Sequence, residues 1–269
     1  MLGLSSTQLW GYASLEVLEL AARLGYTGVE LWVEQFWAHG DDSKAVHERA
    51  RELGLHLTVH SASWDLNLTA RNAGIRQAST REVIRSIELA AAVGADMITV
   101  HPGRSTLHEK ELEWHWERQV EAFRFLAGEG DRHGVRVNVE MMEQIPKEFC
   151  TTPAAINRLL DAVDHFNLGV TYDVAHTPLD QDPLAFLLGL KRVDEVHLSD
   201  STAARYHVPL GKGQIQFGPV LAEVARRGLP VTIEGYEARR TTELAAWNKQ
   251  MLDKLWQQAV GAAGSAKCG

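Results

Sequence analysis

The sequence predicts an α/β fold, a single (β/α)8 barrel of the TIM type, and three observations carry the prediction. Apolar, β-branched runs alternate with amphipathic runs about eight times along the chain. A glycine commonly closes each amphipathic run just before the next apolar one, as at Gly25, Gly54, Gly94, Gly134 and Gly228. The glycine-rich G-x-G-x-x-G turn of a doubly wound dinucleotide-binding sheet is missing after the first strand at Leu4. At 269 residues the chain suits one closed barrel, and no composition shift marks a linker. Residues 1–260 are assigned to the barrel and residues 261–269 to a flexible C-terminal tail.

The elements follow in order. A short strand at Leu2 to Leu4 opens the chain, and Ser14 caps a helix through Leu24 with Leu15, Leu18 and Ala22 on one face. Gly28 to Val33 reads as a buried strand, and a charged segment from Asp41 to Leu53 leads to a strand from Leu55 to His60. A helix from Thr80 to Val93 feeds Met97 to His101, and one from Glu109 to His133 feeds Val135 to Glu140. Helices at Pro153 to Val163, Pro183 to Leu190 and Gly218 to Arg227 precede strands ending at Asp173, His197 and Glu234. A last amphipathic helix runs from Thr242 to Gln258.

Composition narrows the class. A formal charge of -8 with no Lys/Arg run argues against a phosphate-backbone grip, so nucleic acid is disfavoured as a partner. Two cysteines, Cys150 and Cys268, exclude a disulfide framework. The first residues lack a charged and then apolar leader, and no stretch approaches about 18 uninterrupted apolar residues. The expectation is a soluble cytoplasmic protein without a membrane partner.

The informative regularity is the residue that ends each strand. Six successive strands end on His60, His101, Glu140, Asp173, His197 and Glu234, and in a parallel barrel all six point to one rim. One strand-end histidine is usually a hydrogen-bonded rim residue, but six metal-competent side chains in succession are not random placement. Glu140, Asp173, His197 and Glu234 form a mixed carboxylate and imidazole set suited to Mn²⁺, Co²⁺, Mg²⁺ or Zn²⁺. Without a cation, three gathered carboxylates would repel one another.

The stretch from Val196 to Gly213 continues from His197 through Asp200, Arg205 and His207 to a Gly211-Lys212-Gly213 turn, read here as holding backbone close to the site. It is not a phosphate-binding P-loop. Arg205 offers a fork of donors for a substrate oxygen or phosphate. His176 follows Asp173 by three residues and is placed to orient a ligand. Trp10, Trp32 and Trp64 could wall a sugar-binding pocket, although tryptophan is also ordinary core filling. Trp114, His115 and Trp116 read as helix surface or a homo-oligomer contact. His39, His47, His108, His133 and His165 have no partners at ligand spacing, and neither cysteine has a base nearby.

The segments V-H-S-A-S-W-D-L-N-L, V-H-P-G-R, V-E-M-M, D-V-A-H, V-H-L-S-D-S, H-V-P-L-G-K-G-Q-I-Q-F and T-I-E-G span nearly the whole chain. Through them it resembles the xylose isomerase-like barrel superfamily, which includes sugar-phosphate isomerases and epimerases, ketose 3-epimerases, dehydratases and endonuclease IV. The resemblance to the epimerases implies one divalent ion on Glu140, Asp173, His197 and Glu234. The two glutamates would move protons on opposite faces of the substrate, with His176 and Arg205 on its oxygens. The resemblance to endonuclease IV implies further ligands at His60, His101, His176 and His207 around three zinc ions that hydrolyse phosphodiesters at abasic DNA. The chain departs from that pattern at Arg205, where the nuclease has an Asp. A positive charge there opposes a dication by several kcal/mol at an effective dielectric of about 20. The expected function is therefore a divalent-metal-dependent isomerase or epimerase of a sugar, sugar phosphate or related polyol ketone. Glutamate-mediated proton transfer would pass through an enediolate. His60, His101, His176, Arg205, His207, Trp32 and Trp64 would contact substrate. The nuclease and a dehydratase of the same superfamily are the alternatives.

Overall fold

The computed structural model describes residues 1–107 and 112–265, with side chains through residue 260. Eight parallel strands close into a barrel: β1 (Leu2–Ser5), β2 (Gly28–Trp32), β3 (His56–His60), β4 (Met97–Val100), β5 (Arg136–Met141), β6 (Leu168–Asp173), β7 (Val193–Leu198) and, after a hairpin of β8 (Asp200–Thr202) and β9 (Arg205–Val208), β10 (Val231–Ile233). Round the wall the order is β1, β10, β7, β6, β5, β4, β3, β2. Helices α1 (Ser14–Arg23), α2 (Val33–His39), α3 (Ser43–Leu53), α4 (Ala73–Val93), α5 (Leu112–His133), α6 (Pro153–Val163), α7 (Pro183–Gly189), α8 (Gly218–Arg227) and α9 (Glu243–Ser265) accompany the strands.

Local chemistry sets these boundaries. Asp42, Asn72, Thr152 and Asp182 each accept a backbone N–H at the start of a helix, and Pro153 and Pro183 sit in first turns where no amide is needed. Asn72 explains why α4 begins at Ala73 rather than at Thr80: its carboxamide oxygen accepts from Gly74 and Ile75. Gly94 ends that helix at φ 75°, and a side chain there would meet the His47 ring, which is itself fixed on the Val93 carbonyl.

Several expectations change. The short helix α2 and the β8–β9 hairpin are additional to the alternating pattern. His115 and Trp116 are not surface: they are 1% and 8% exposed. His115 bridges the Thr69 carbonyl and the Thr106 amide, so it ties two loops at the carboxyl ends of the barrel strands, while Trp114 lies under the guanidinium groups of Arg71, Arg76 and Arg118. The helix α9 extends to Ser265, into the segment read as tail. His108, the expected helix start at Glu109 and residues 266–269 lie outside the described residues. Among the described residues no helix is long and apolar enough to cross a membrane.

Side chains alternate in a strand, so residues two apart share a face. The residue two before each rim position is also polar and fully buried: Thr58 before His60, Thr99 before His101, Asn138 before Glu140, Thr171 before Asp173, Glu195 before His197 and Thr232 before Glu234. Thr99 and Thr171 share a hydrogen bond of 2.7 Å, and Thr232 donates to Glu195 at 2.7 Å. A polar layer thus lies inside the barrel directly beneath the rim, with the apolar core between sheet and helices.

Candidate metal centre

The strands bring the expected rim residues together. His60 and Asp173 end β3 and β6, Glu140 and His197 are penultimate in β5 and β7, and His101 and Glu234 directly follow β4 and β10. One donor atom from each of Glu140, Asp173, His197 and Glu234 lies within 4.8 Å of the other three. All four residues are buried, Glu234 being the most open at 8%.

Two carboxylates at that separation repel by about 3 kcal/mol at an effective dielectric near 20, before their desolvation is counted. Among the described residues no lysine or arginine pairs with Glu140, Asp173 or Glu234; their basic neighbours are histidines. Glu140 Oε2, Asp173 Oδ2 and both ring nitrogens of His197 are buried with no hydrogen-bond partner among the described residues. Three hard oxygen donors, one imidazole and unsatisfied atoms converging from four strands fit a divalent cation.

The electrostatics follow from the same geometry. Burial alone favours neutral Glu140, but His101, His197 and His60 outweigh it and hold its carboxyl well below the usual range. Burial, and then the Glu234 and Glu140 carboxylates, push Asp173 well up against the pull of His176. Burial works against charge on His60 and His176, yet the carboxylates around them push each up to about 9. His207 is lowered, chiefly by burial.

Two further groups of donors flank the four. His60, His101 and Glu140 meet within 4.8 Å, with His101 Nε2 2.9 Å from Glu140 Oε2. Asp173, His176 and His207 do the same, the two imidazoles meeting Nε2 to Nε2 at 3.3 Å. His207 adopts φ 54° in the hairpin, an unusual backbone for a non-glycine residue, which brings its Nδ1 to Ser199 Oγ at 2.9 Å.

The rim opens into a cleft of ≈ 360 Å³ whose lining includes Trp32, Trp64, His101, Arg205, His207 and Tyr236. Trp32 lies flat on His60 at 3.9 Å, and Trp64 stands against Trp10 at 4.9 Å, so the tryptophans form one wall. Arg205 lines the opposite hairpin and makes no ion pair among the described residues, leaving its guanidinium open to the cleft.

The Gly211-Lys212-Gly213 turn does not approach the cleft. It wraps round Asp200, whose carboxylate accepts from the amides of Ser201, Gly211, Gly213 and Ile215, and Lys212 lies over Trp247. Cys150 is buried and burial pushes its thiol up, so it has no nucleophilic character. Three residues escaped the sequence reading. Glu143, three after Glu140, comes within 3.5 Å of His176 Nε2; Glu30 and Glu195 stand beneath His197. The period of two along each strand was the available signal for Glu195.

Comparisons with known proteins agree with this fold. Residues 18–255 match the family model described as a xylose isomerase-like TIM barrel. An uncharacterised protein of Methanocaldococcus jannaschii is 23% identical over 223 residues, covering 82% of each chain. Endonuclease 4 of Thermus thermophilus is 28% identical over 263 residues, covering 90% of this chain and 93% of its own. Among solved structures, a D-tagatose 3-epimerase-like protein superposes with TM-score 0.84 at 20% identity, covering 98% of this chain and 99% of its own. An L-ribulose 3-epimerase gives 0.83 at 17%, covering 98% and 97%. Identities this low establish a shared fold.

Proposed function

The chain belongs to the xylose isomerase-like TIM barrel family, and from that premise we propose that it is a divalent-metal-dependent isomerase or epimerase of a sugar or related polyol ketone. The observation that carries the reading is the convergence of Glu140, Asp173, His197 and Glu234, unpaired with any lysine or arginine among the described residues, with Glu140 and Glu234 lining an aromatic-walled cleft. A divalent ion held by these four residues would supply Lewis-acid polarisation of the substrate carbonyl.

The chain's own residues do the rest. Glu140 and Glu234 come from strands with β6 and β7 between them, β5 and the end of β10, and both line the cleft. One carboxylate takes the proton from the carbon next to the carbonyl, and the other returns a proton to give the inverted or isomerised product. Both carboxyls are held low by histidines, so either can serve as the starting base, and its partner returns a proton only after taking one up from solvent, the two exchanging protons with water between turnovers. His101 and His207 are placed to hold substrate hydroxyls, and Arg205 a distal oxygen or phosphate. Trp32 and Trp64 cover the apolar face of the sugar and restrict water. β-Elimination by a dehydratase would begin with the same proton abstraction.

The test is incubation with a panel of ketoses and Mn²⁺ in deuterated water. Deuterium entering the carbon beside the carbonyl, blocked by a chelator, supports the reading; a panel with no exchange and no new sugar counts against it. A second reading, a multi-metal phosphodiesterase acting on abasic DNA, draws on the two flanking donor groups and the similarity to Endonuclease 4. Chelator-sensitive incision of an abasic-site duplex would favour it instead.

A further inference from the structure

Strand β2 contributes none of the four central donors, yet it carries a fully buried carboxylate, Glu30. Neither oxygen of Glu30 has a hydrogen-bond partner among the described residues, and Oε1 lies 3.1 Å from His197 Nε2. Among the described residues His197 is the one basic side chain within ion-pair reach of it. The contact spans the barrel interior, because β2 and β7 are separated on the wall by β1 and β10. A carboxylate placed there is costly unless it acts on a cationic or donating group.

His197 has two ring nitrogens with different surroundings. Nδ1 faces the donor set, 3.0 Å from Glu234 Oε1 and 3.8 Å from Glu140 Oε1. Nε2 faces down, to Glu30. With the hydrogen on Nε2, the nitrogen 3.1 Å from the Glu30 carboxyl, the Nδ1 lone pair is left directed at the other donors. Glu195 is the weaker neighbour: one oxygen accepts from Thr232 and the other is 4.0 Å from Nε2.

We propose that Glu30 is a positioning residue that fixes His197 in the Nε2–H tautomer and raises the donor strength of Nδ1 toward a divalent cation. The inference rests on the four-residue cation site and not on the reaction assigned to it. On the same face of β2, two residues on, Trp32 lies flat against His60 with the rings 7° from parallel. One strand without a central donor therefore orients two imidazoles of the site.

Titration of the metal-free protein with Co²⁺ against a competing chelator tests this. Glu30→Gln is expected to weaken binding by about 10–100-fold, and Glu30→Asp, which keeps the charge, to recover part of the loss. Thr99→Val, which removes a different polar group of the same buried layer, should leave affinity unchanged. An affinity unchanged in Glu30→Gln overturns the proposal alone, whereas a wild-type protein that binds no cation overturns the site and the proposal with it. Should the Glu30 variants fail to fold, nitrogen-15 spectra of the Zn²⁺-loaded wild type decide. A metal-bound Nδ1 with hydrogen on Nε2 supports the proposal, and a metal-bound Nε2 contradicts it.

Discussion

One carboxylate oxygen of Glu140 and one of Glu234 lie within 4.8 Å of each other, and His197 Nδ1 is in reach of both. Two buried acids from separate strands thus face one imidazole nitrogen, in an arrangement that a divalent ion would complete.

Replacing either acid by its amide should stop proton transfer while the barrel stays folded. Glu140→Gln and Glu234→Gln are each expected to lower kcat by about 10²–10⁴-fold, the usual contribution of a positioned acid or base. Far-UV circular dichroism checks the fold, and sugar turnover by NMR checks the rate. A variant with full turnover removes that residue from the proton path.

A divalent ion should stabilise the protein, because it neutralises carboxylates that otherwise repel. At a hundredfold excess over Kd the gain is about 2.7 kcal/mol. In a chain of this size that is roughly 5–10 °C in Tm. Differential scanning calorimetry with Mn²⁺ and with a chelator measures the difference, and no shift would speak against a site formed by these four residues.

Glu148 makes stability depend on pH. Burial, and then the neighbouring Glu143 carboxylate, push it up to about 7 from 4.5. A carboxyl raised on folding contributes fully below about pH 4.5, and its contribution is lost as the pH rises through about 7. Glu148→Gln stays neutral throughout, so relative to wild type it should gain roughly 1–3 kcal/mol between pH 4.5 and pH 8. Urea melts at the two pH values give the number; a constant difference would refute the assignment.

Asp200 organises the loop after the seventh strand rather than the reaction. Asparagine keeps one acceptor oxygen but presents an amide group toward backbone N–H groups, so Asp200→Asn should cost about 2–4 kcal/mol. Amide hydrogen exchange at Gly211, Gly213 and Ile215 should accelerate in the variant, with no change if the carboxylate is not the anchor.

The barrel and its rim were legible because both rest on periodicity. Apolar runs closed by glycine marked the strands, and the metal-competent residue ending each of six strands marked the candidate site. What was hidden depends on contacts across the barrel or on loop geometry. Glu30 reads as one charge in an apolar strand until its distance to His197 is known. The Gly-Lys-Gly turn resembles a substrate loop until Asp200 is seen inside it. His115 and Trp116 sit in a charged, helical run and look external, yet α5 turns them inward to hold two rim loops and the core.

The claim on which the rest depends is that four strand-end side chains form one metal centre. An anomalous difference map from crystals grown with Mn²⁺ tests it most directly. The account predicts a peak bounded by Glu140, Asp173, His197 and Glu234, at about 2.0–2.4 Å from one donor of each. No peak among these four residues, in crystals whose protein is folded and metal-saturated, would contradict it.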